Sequence, residues 1–158
     1  MNSQGVVIKD LPQRKMIYLL CKGSWRQLPD MLTKLSEYAK RIGLETAGQP
    51  SGFYYNTPEE VTIEELTWEV CYPVGSDTQD YADGKLKFGV REIPPTRVAS
   101  IIHNGSYRKT SPSYNMLQAW VETKRLKTCG PAEELYLTDI NKTKEEQQIE
   151  IRLPVAVV

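Results

Sequence analysis

The chain has few of the residues from which most reactive centres are built. It holds one histidine, His103, and three cysteines, Cys21, Cys71 and Cys129, in 158 residues. The cysteines are far apart and odd in number, so they supply neither a disulfide framework nor a Cys/His spacing for zinc. Reduced thiols of this kind fit a cytoplasmic chain, and packing is the expected role of each. Charge of one sign is missing too. Twenty basic residues balance twenty acidic ones, which leaves no electrostatic footprint for nucleic acid or an anionic membrane. No apolar run approaches the length of a bilayer span. Met1-Asn2-Ser3-Gln4-Gly5 has no basic region leading into a hydrophobic stretch, so no secretory signal is expected. No glycine-rich loop opens a helix, and no nucleotide cofactor or metal is expected. His103 ends an apolar run without a Ser/Asp motif around it, and reads as a strand-end residue rather than a catalytic base.

What the chain does have is a pattern that occurs twice. Val6–Asp10 reads as a short strand broken by Leu11-Pro12. Lys15–Lys22 is a continuous apolar run, a buried strand ended by Gly23-Ser24-Trp25. Leu28, Leu32, Leu35, Ala39 and Ile42 recur at helical spacing, with Pro29 in the first turn and Gly43 at the exit. Phe53-Tyr54-Tyr55 is a strand, and Leu66–Tyr72 alternates with Trp68, Val70 and Tyr72 on one face. Gly75–Gly84 is polar and turn-rich and reads as a linker. The series then restarts. Lys87–Glu92 and Arg97–His103 are strands, Gly105-Ser106-Tyr107 answers Gly23-Ser24-Trp25, and a helix runs from Ser111-Pro112 to about Leu126. Leu135-Tyr136-Leu137 answers Phe53-Tyr54-Tyr55, and Ile149–Val155 answers Trp68–Val74. Pro12 to Pro94, Gly23 to Gly105 and Tyr54 to Tyr136 share one shift, so an internal duplication is expected. The halves run from about 5 to 74 and from 87 to 156, joined by residues 75–86. Together they give an α+β fold, an antiparallel sheet carrying two helices on one face.

Two like halves about a pseudo-two-fold axis leave a groove, and such grooves favour pockets. The informative positions are those where the halves differ. Trp25 is answered by Tyr107 and Trp68 by Ile149. Glu134 is answered by Gly52. In Gly130–Asp139, Glu134 and Tyr136 point to one strand face and Leu135 and Leu137 to the other. A solvated edge strand would explain the acid and the phenol, but an acid present in one half only, facing a residue without a side chain, reads as a site.

These residues resemble the GyrI-like small-molecule-binding family, whose domain also forms the effector-binding part of multidrug-sensing regulators of the MerR and AraC types. The likeness rests on Gly105-Ser106-Tyr107, the helix with Tyr114, Leu117 and Trp120, the stretch Gly130–Leu137, and Ile151-Arg152-Leu153-Pro154-Val155. It implies a duplicated strand–helix–strand–strand fold with a glutamate on the groove floor among rings, and Glu134 falls at that position with Tyr136 beside it. Without a helix-turn-helix in the sequence, the resemblance is to stand-alone members, and no direct DNA binding is expected.

The expected ligand contacts are therefore Glu134, Tyr136, Trp68, Tyr54, Trp25, Tyr107, Tyr72 and Trp120. Aromatic faces attract cations by about 0.5–2 kcal/mol per contact, and a desolvated carboxylate adds a charge partner. This pattern predicts binding of flat, hydrophobic, often cationic molecules. For Trp120 and Tyr114 the helical spacing suits core packing equally well. An enzymatic alternative uses the same residues. Some stand-alone relatives resemble hydrolases that open strained cyclopropane rings of DNA-alkylating natural products, for which Glu134 would activate water and Tyr136 would donate a hydrogen bond. The resemblance also raises DNA gyrase as a protein partner, although the neutral charge argues against mimicry of nucleic acid. A homodimer is the other protein partner considered.

Overall fold

A computed structural model describes residues 5–158. Among them are ten strands and two α-helices: β1 Val7–Leu11, β2 Arg14–Lys22, α1 Leu28–Arg41, β3 Ser51–Tyr54, β4 Thr67–Pro73, β5 Tyr81–Asp83, β6 Phe88–Ile93, β7 Thr96–Asn104, α2 Ser111–Thr123, β8 Leu126–Thr128, β9 Ala132–Tyr136 and β10 Gln148–Val157. The fold is α+β with antiparallel strand pairing. The strands form where β-branched and aromatic residues cluster, and Pro12 and Pro94 mark the ends of β1 and β6.

The chain divides into two compact units that do not coincide with the sequence halves. One is Gln13–Pro94; the other joins the chain up to Pro12 to Pro95–Val158. Strand pairing explains the difference. β1 pairs with β7, and β6 pairs with β2. Each half of the sequence thus contributes its opening strand to the unit built mainly by the other half.

In the first unit to be completed along the chain, residues 13–94, β4 lies between β3 and β2, and β6 extends the sheet to β5. Residues directly opposite across a pair share a face. Ile17, Leu19, Trp68 and Val70 therefore face one way, and Met16, Glu69 and Cys71 the other. The apolar stripe of α1, with Leu28, Leu32, Leu35 and Ala39 buried, packs on β2 and β4. Tyr38 stacks on Phe88 with ring centroids 3.9 Å apart. Pro29 sits in the first turn of the helix as expected, and Lys40 and Arg41 complement the dipole at its end. The opposite sheet face holds a cluster of Met16, Phe53, Cys71 and Ile93. The segment expected as a linker is in part structured, because Tyr81–Asp83 pairs with β6 and the Tyr81 hydroxyl reaches that of Tyr38 at 3.0 Å.

In the second unit the order is β1-β7-β10-β9, with β8 on the far end of β10. α2 packs on β7, β8 and β10 through buried Leu117 and Val121. It ends at Thr123, earlier than its periodicity suggests, since Arg125 takes a left-handed φ of 56° and Leu126 enters β8. β8 pairs with Val155–Val157, so the residues after Pro154 continue the last strand. Two matched turns leave β2 and β7. Gly23 and Gly105 have φ of 103° and 122°, a region that favours glycine.

Candidate functional site

β9 places three polar groups in a buried cluster. Glu134 and Tyr136 lie on the same strand face, two residues apart, and only 7% and 1% of their surfaces are exposed. The Tyr136 hydroxyl donates to Oε1 of Glu134 at 3.2 Å. The Tyr114 hydroxyl, from α2, donates to Oε2 at 2.5 Å. On the other face Leu135 is half-buried and Glu133 is buried, so both faces of the strand are covered and the solvated-edge reading does not hold. Across the ladder Glu134 meets Ile151 and Tyr136 meets Ile149. Among the described residues the acid therefore rests on aliphatic side chains with two phenols as its donors. Burial pushes its carboxyl up to about 7, and the two hydrogen bonds pull in the opposite direction without cancelling the shift.

Three other glutamates are buried, and each has a basic partner. Glu69, 1% exposed, accepts from Nε and Nη2 of Arg91 at 3.2 and 2.6 Å and from the Tyr55 hydroxyl at 2.5 Å. Arg91 also lies 5.8 Å from the Tyr18 ring centre and 5.6 Å from that of Phe53. Glu150 accepts from Lys9 at 3.0 Å, Ser100 at 2.9 Å and Arg152 at 2.8 Å. Burial alone would raise the Glu150 carboxyl, but those hydrogen bonds and the Arg152 charge hold it below the usual carboxylate range. Arg152 further pairs with Glu133 at 3.5 Å. Among the described residues Glu134 is thus the buried acid with no cation beside it.

The rings expected at the site occupy several environments. Trp68 is completely buried and donates its indole N–H to the Gly23 carbonyl at 3.0 Å. Its ring stacks on Tyr54 at 6.1 Å, and Tyr54 meets Trp25 edge-on at 5.4 Å. In this conformation Trp68 therefore acts as core, with Tyr54 and Trp25 half-buried beside it. Tyr72, at the end of β4, is half-buried. Tyr107 lies under Arg108 at 5.8 Å, and Trp120 under Lys124 at 5.5 Å. Of the eight expected contacts, Glu134 and Tyr136 are joined directly by a hydrogen bond.

Tyr114 carries more of the site than helical periodicity suggests. The signal lies in the repeat: Tyr114 stands where the first half has Leu32, and Glu134 where it has Gly52. Both members of the bonded pair are therefore replaced together. Buried His103 is engaged at both nitrogens, by Ser113 Oγ at 2.8 Å and the Ser106 carbonyl at 2.9 Å. That arrangement anchors the first turn of α2 next to Tyr114 and leaves the ring no free nitrogen for catalysis. Cys21 and Cys71 are buried and Cys129 is exposed, all as free thiols; burial pushes the Cys21 thiol up to about 12, which suits packing rather than reaction. Among the described residues no group of three or more His, Cys, Asp or Glu side chains could hold a metal ion, and no helix is long and apolar enough to cross a membrane.

Comparison with known proteins gives the family and the fold. The profile of the GyrI-like small molecule binding domain matches residues 5–156, and the chain belongs to that family. Its fold is shared with the C-terminal domain of EcmrR, at a TM-score of 0.82 and 19% identity over 97% of this chain and 98% of that one. In the structure of EcmrR with DNA, this chain spans 57% of the EcmrR chain. A hydrolase from Listeria innocua has a TM-score of 0.73 at 13% identity, covering 97% and 92% of the two chains. SAV2435 bound to tetraphenylphosphonium has a TM-score of 0.56 at 14% identity, covering 96% and 93%. At these identities the likeness is one of fold. No match was found among curated proteins.

Proposed function

We propose that this domain binds hydrophobic cationic small molecules, with Glu134 as the charge partner and Tyr114 and Tyr136 holding its carboxylate in place. The observation that carries this reading is the solitary charge. Burying a carboxylate without a counter-ion is unfavourable, and the fold supplies bases to Glu69, Glu133 and Glu150 but none to Glu134. A ligand cation would supply the missing charge, and the faces of Tyr114 and Tyr136 suit it through their ring quadrupoles. The membership of a small-molecule-binding family supports the same reading. The structure of SAV2435 with tetraphenylphosphonium shows a cation of this chemistry held by a protein of related fold.

The test is a titration of tryptophan fluorescence in the wild type and in Glu134→Gln, using two ligands of like shape, one cationic and one neutral. The wild type should prefer the cation at least tenfold, and the preference should collapse in the variant. Equal binding of both ligands by both proteins would remove Glu134 from the role of cation receptor.

A second reading, hydrolysis of a reactive electrophile such as a strained cyclopropane, is favoured by one feature. A carboxyl brought to about 7 is matched to general acid–base work near neutral pH. An enzyme would turn over many equivalents and lose that turnover in Glu134→Gln, whereas a binder returns its ligand unchanged.

A further inference from the structure

We infer that a ligand cation and a proton compete for Glu134, so that binding of the cation expels a proton to solvent. The inference rests on the binding reading above and specifies its chemistry: the carboxylic acid, on meeting a permanent cation, becomes a carboxylate paired with that cation, and its proton passes to water.

The geometry carries the argument through the donors that each buried acid faces. Glu69, Glu133 and Glu150 face guanidinium or ammonium groups. Those groups can only donate. Glu134 faces two phenols. A phenol can donate or accept. Both phenols can donate to the carboxylate; when the acid is protonated, one of them can turn and accept its O–H. The same two phenols can therefore hydrogen-bond to the acid in either protonation state. Among the described residues the surroundings add no other charge. From α2 the titratable group facing the acid is Tyr114, on β9 it is Tyr136, and β10 presents Ile149 and Ile151. Glu133 and Arg152, the neighbouring charges, occupy the opposite face of the β9–β10 ladder and pair with each other. His103 on β7 is held by Ser113 and the Ser106 carbonyl. A dry site of this kind favours the neutral acid until a cation arrives, and the carboxyl's position at about 7 puts the exchange near neutrality.

Calorimetric titration of the whole protein with tetraphenylphosphonium chloride, in phosphate and in Tris at the same pH, reads the exchange directly. At pH 7 the buffer dependence should report about half a proton released per cation, falling towards zero at pH 9, where the acid is already ionised. Affinity should fall roughly tenfold per pH unit well below 7, because the proton then holds the site. Tyr114→Phe removes a donor that favours the carboxylate, so it should move the release midpoint to higher pH. Three results would overturn the inference while leaving cation binding intact: equal heats in the two buffers with affinity flat from pH 5 to 9, release that persists in Glu134→Gln, or a midpoint unmoved in Tyr114→Phe. Absence of binding at every pH would instead remove the binding reading, and the exchange with it.

Discussion

The strand position opposite Ile151 holds Glu134, and the corresponding position opposite Val70 in the other unit holds Gly52. The two units are otherwise closely matched at this point. In each, a central strand, β10 or β4, is buried on both faces. In each, one face carries an apolar helix and the other a buried glutamate, Glu150 or Glu69, which accepts from a base on the opening strand of the other sequence half, Lys9 on β1 or Arg91 on β6. The units part on the helix-side face. There one has the hydrogen-bonded pair Tyr114–Glu134, and the other has Leu32 and Gly52 at the same repeat positions. The contrast separates two uses of a buried carboxylate. An acid that occurs in both units with a base beside it belongs to the framework. An acid that occurs in one unit, on aliphatic ground and without a base, lies outside that shared framework.

The framework acids should be the costlier to disturb. Arg152 serves both Glu150 and Glu133, so Arg152→Met takes a guanidinium from two buried carboxylates at once, Glu150 keeping Lys9. Removal of one partner from a buried pair costs about 3–5 kcal/mol, and a fall of that size is expected in urea unfolding at pH 7. Glu134→Gln should act in the opposite direction. The carboxyl titrates near 7 in the folded chain, against 4.5 as its ordinary value. Below pH 4.5 both the folded and the unfolded states hold the proton, and the site makes no pH-dependent contribution. Between 4.5 and 7 the unfolded chain ionises first, so stability declines as pH rises. Above 7 the loss is complete, at roughly 3 kcal/mol. The Gln variant lacks this titration, so it should be more stable than the wild type at pH 8, by up to about 3 kcal/mol, and nearly equal to it at pH 4. Paired urea midpoints at the two pH values check the sign; a variant weaker than the wild type at pH 8 would show that Glu134 is a framework acid after all.

This distinction was only half legible in the sequence. The strands and helices could be read because apolar periodicity and turn residues are strong, and the repeat reinforces them. That Glu134 and Tyr136 share a face follows from strand alternation alone. The paired acids were hidden by the same rule. Alternation along Trp68–Tyr72 sends Glu69 away from the apolar face, and an outward acid reads as solvated; yet β4 is covered on both sides. Its partner Arg91 comes from the opening strand of the other half, and a single run of residues cannot show that exchange. The repeat did contain the clue, since Lys9 and Arg91 stand at the same shift as Pro12 and Pro94. Tyr114 was obscured differently. On a helix with Leu117 and Val121 its spacing matches the buried stripe, and only the difference from Leu32 marks it as polar by design.

Smaller effects sharpen the comparison at the edges of the units. Gly89 on β6 lies opposite Tyr18, whereas the matching pair in the other unit is Val7 and Ser100. A Cβ on Gly89 would stand 2.4 Å from the Tyr18 hydroxyl and 2.6 Å from the Tyr81 carbonyl oxygen. The tyrosine could swing aside but the backbone oxygen could not, so Gly89→Ala should cost about 1–3 kcal/mol, as overpacking does. Thermal unfolding would show it. Val7→Ala, on the other edge, removes a half-exposed side chain and should cost less than half as much.

The finest comparison uses the two phenols that reach buried acids at the same distance, Tyr55 to Glu69 and Tyr114 to Glu134, both 2.5 Å. Tyr55→Phe leaves Glu69 still held by Arg91 through two hydrogen bonds. Its loss should be about 1 kcal/mol. Tyr114→Phe leaves Glu134 with Tyr136 alone. At pH 5 the folded chain holds the neutral acid, and the lost bond is a neutral one, worth about 0.5–1.5 kcal/mol. At pH 8 the lost bond is to a carboxylate, worth about 1.5–3 kcal/mol. The Tyr114→Phe effect should therefore grow with pH, which urea midpoints at pH 5 and pH 8 would show. An effect that stays level would mean that Glu134 is held in one charge state, and that its solitary position confers no distinct chemistry.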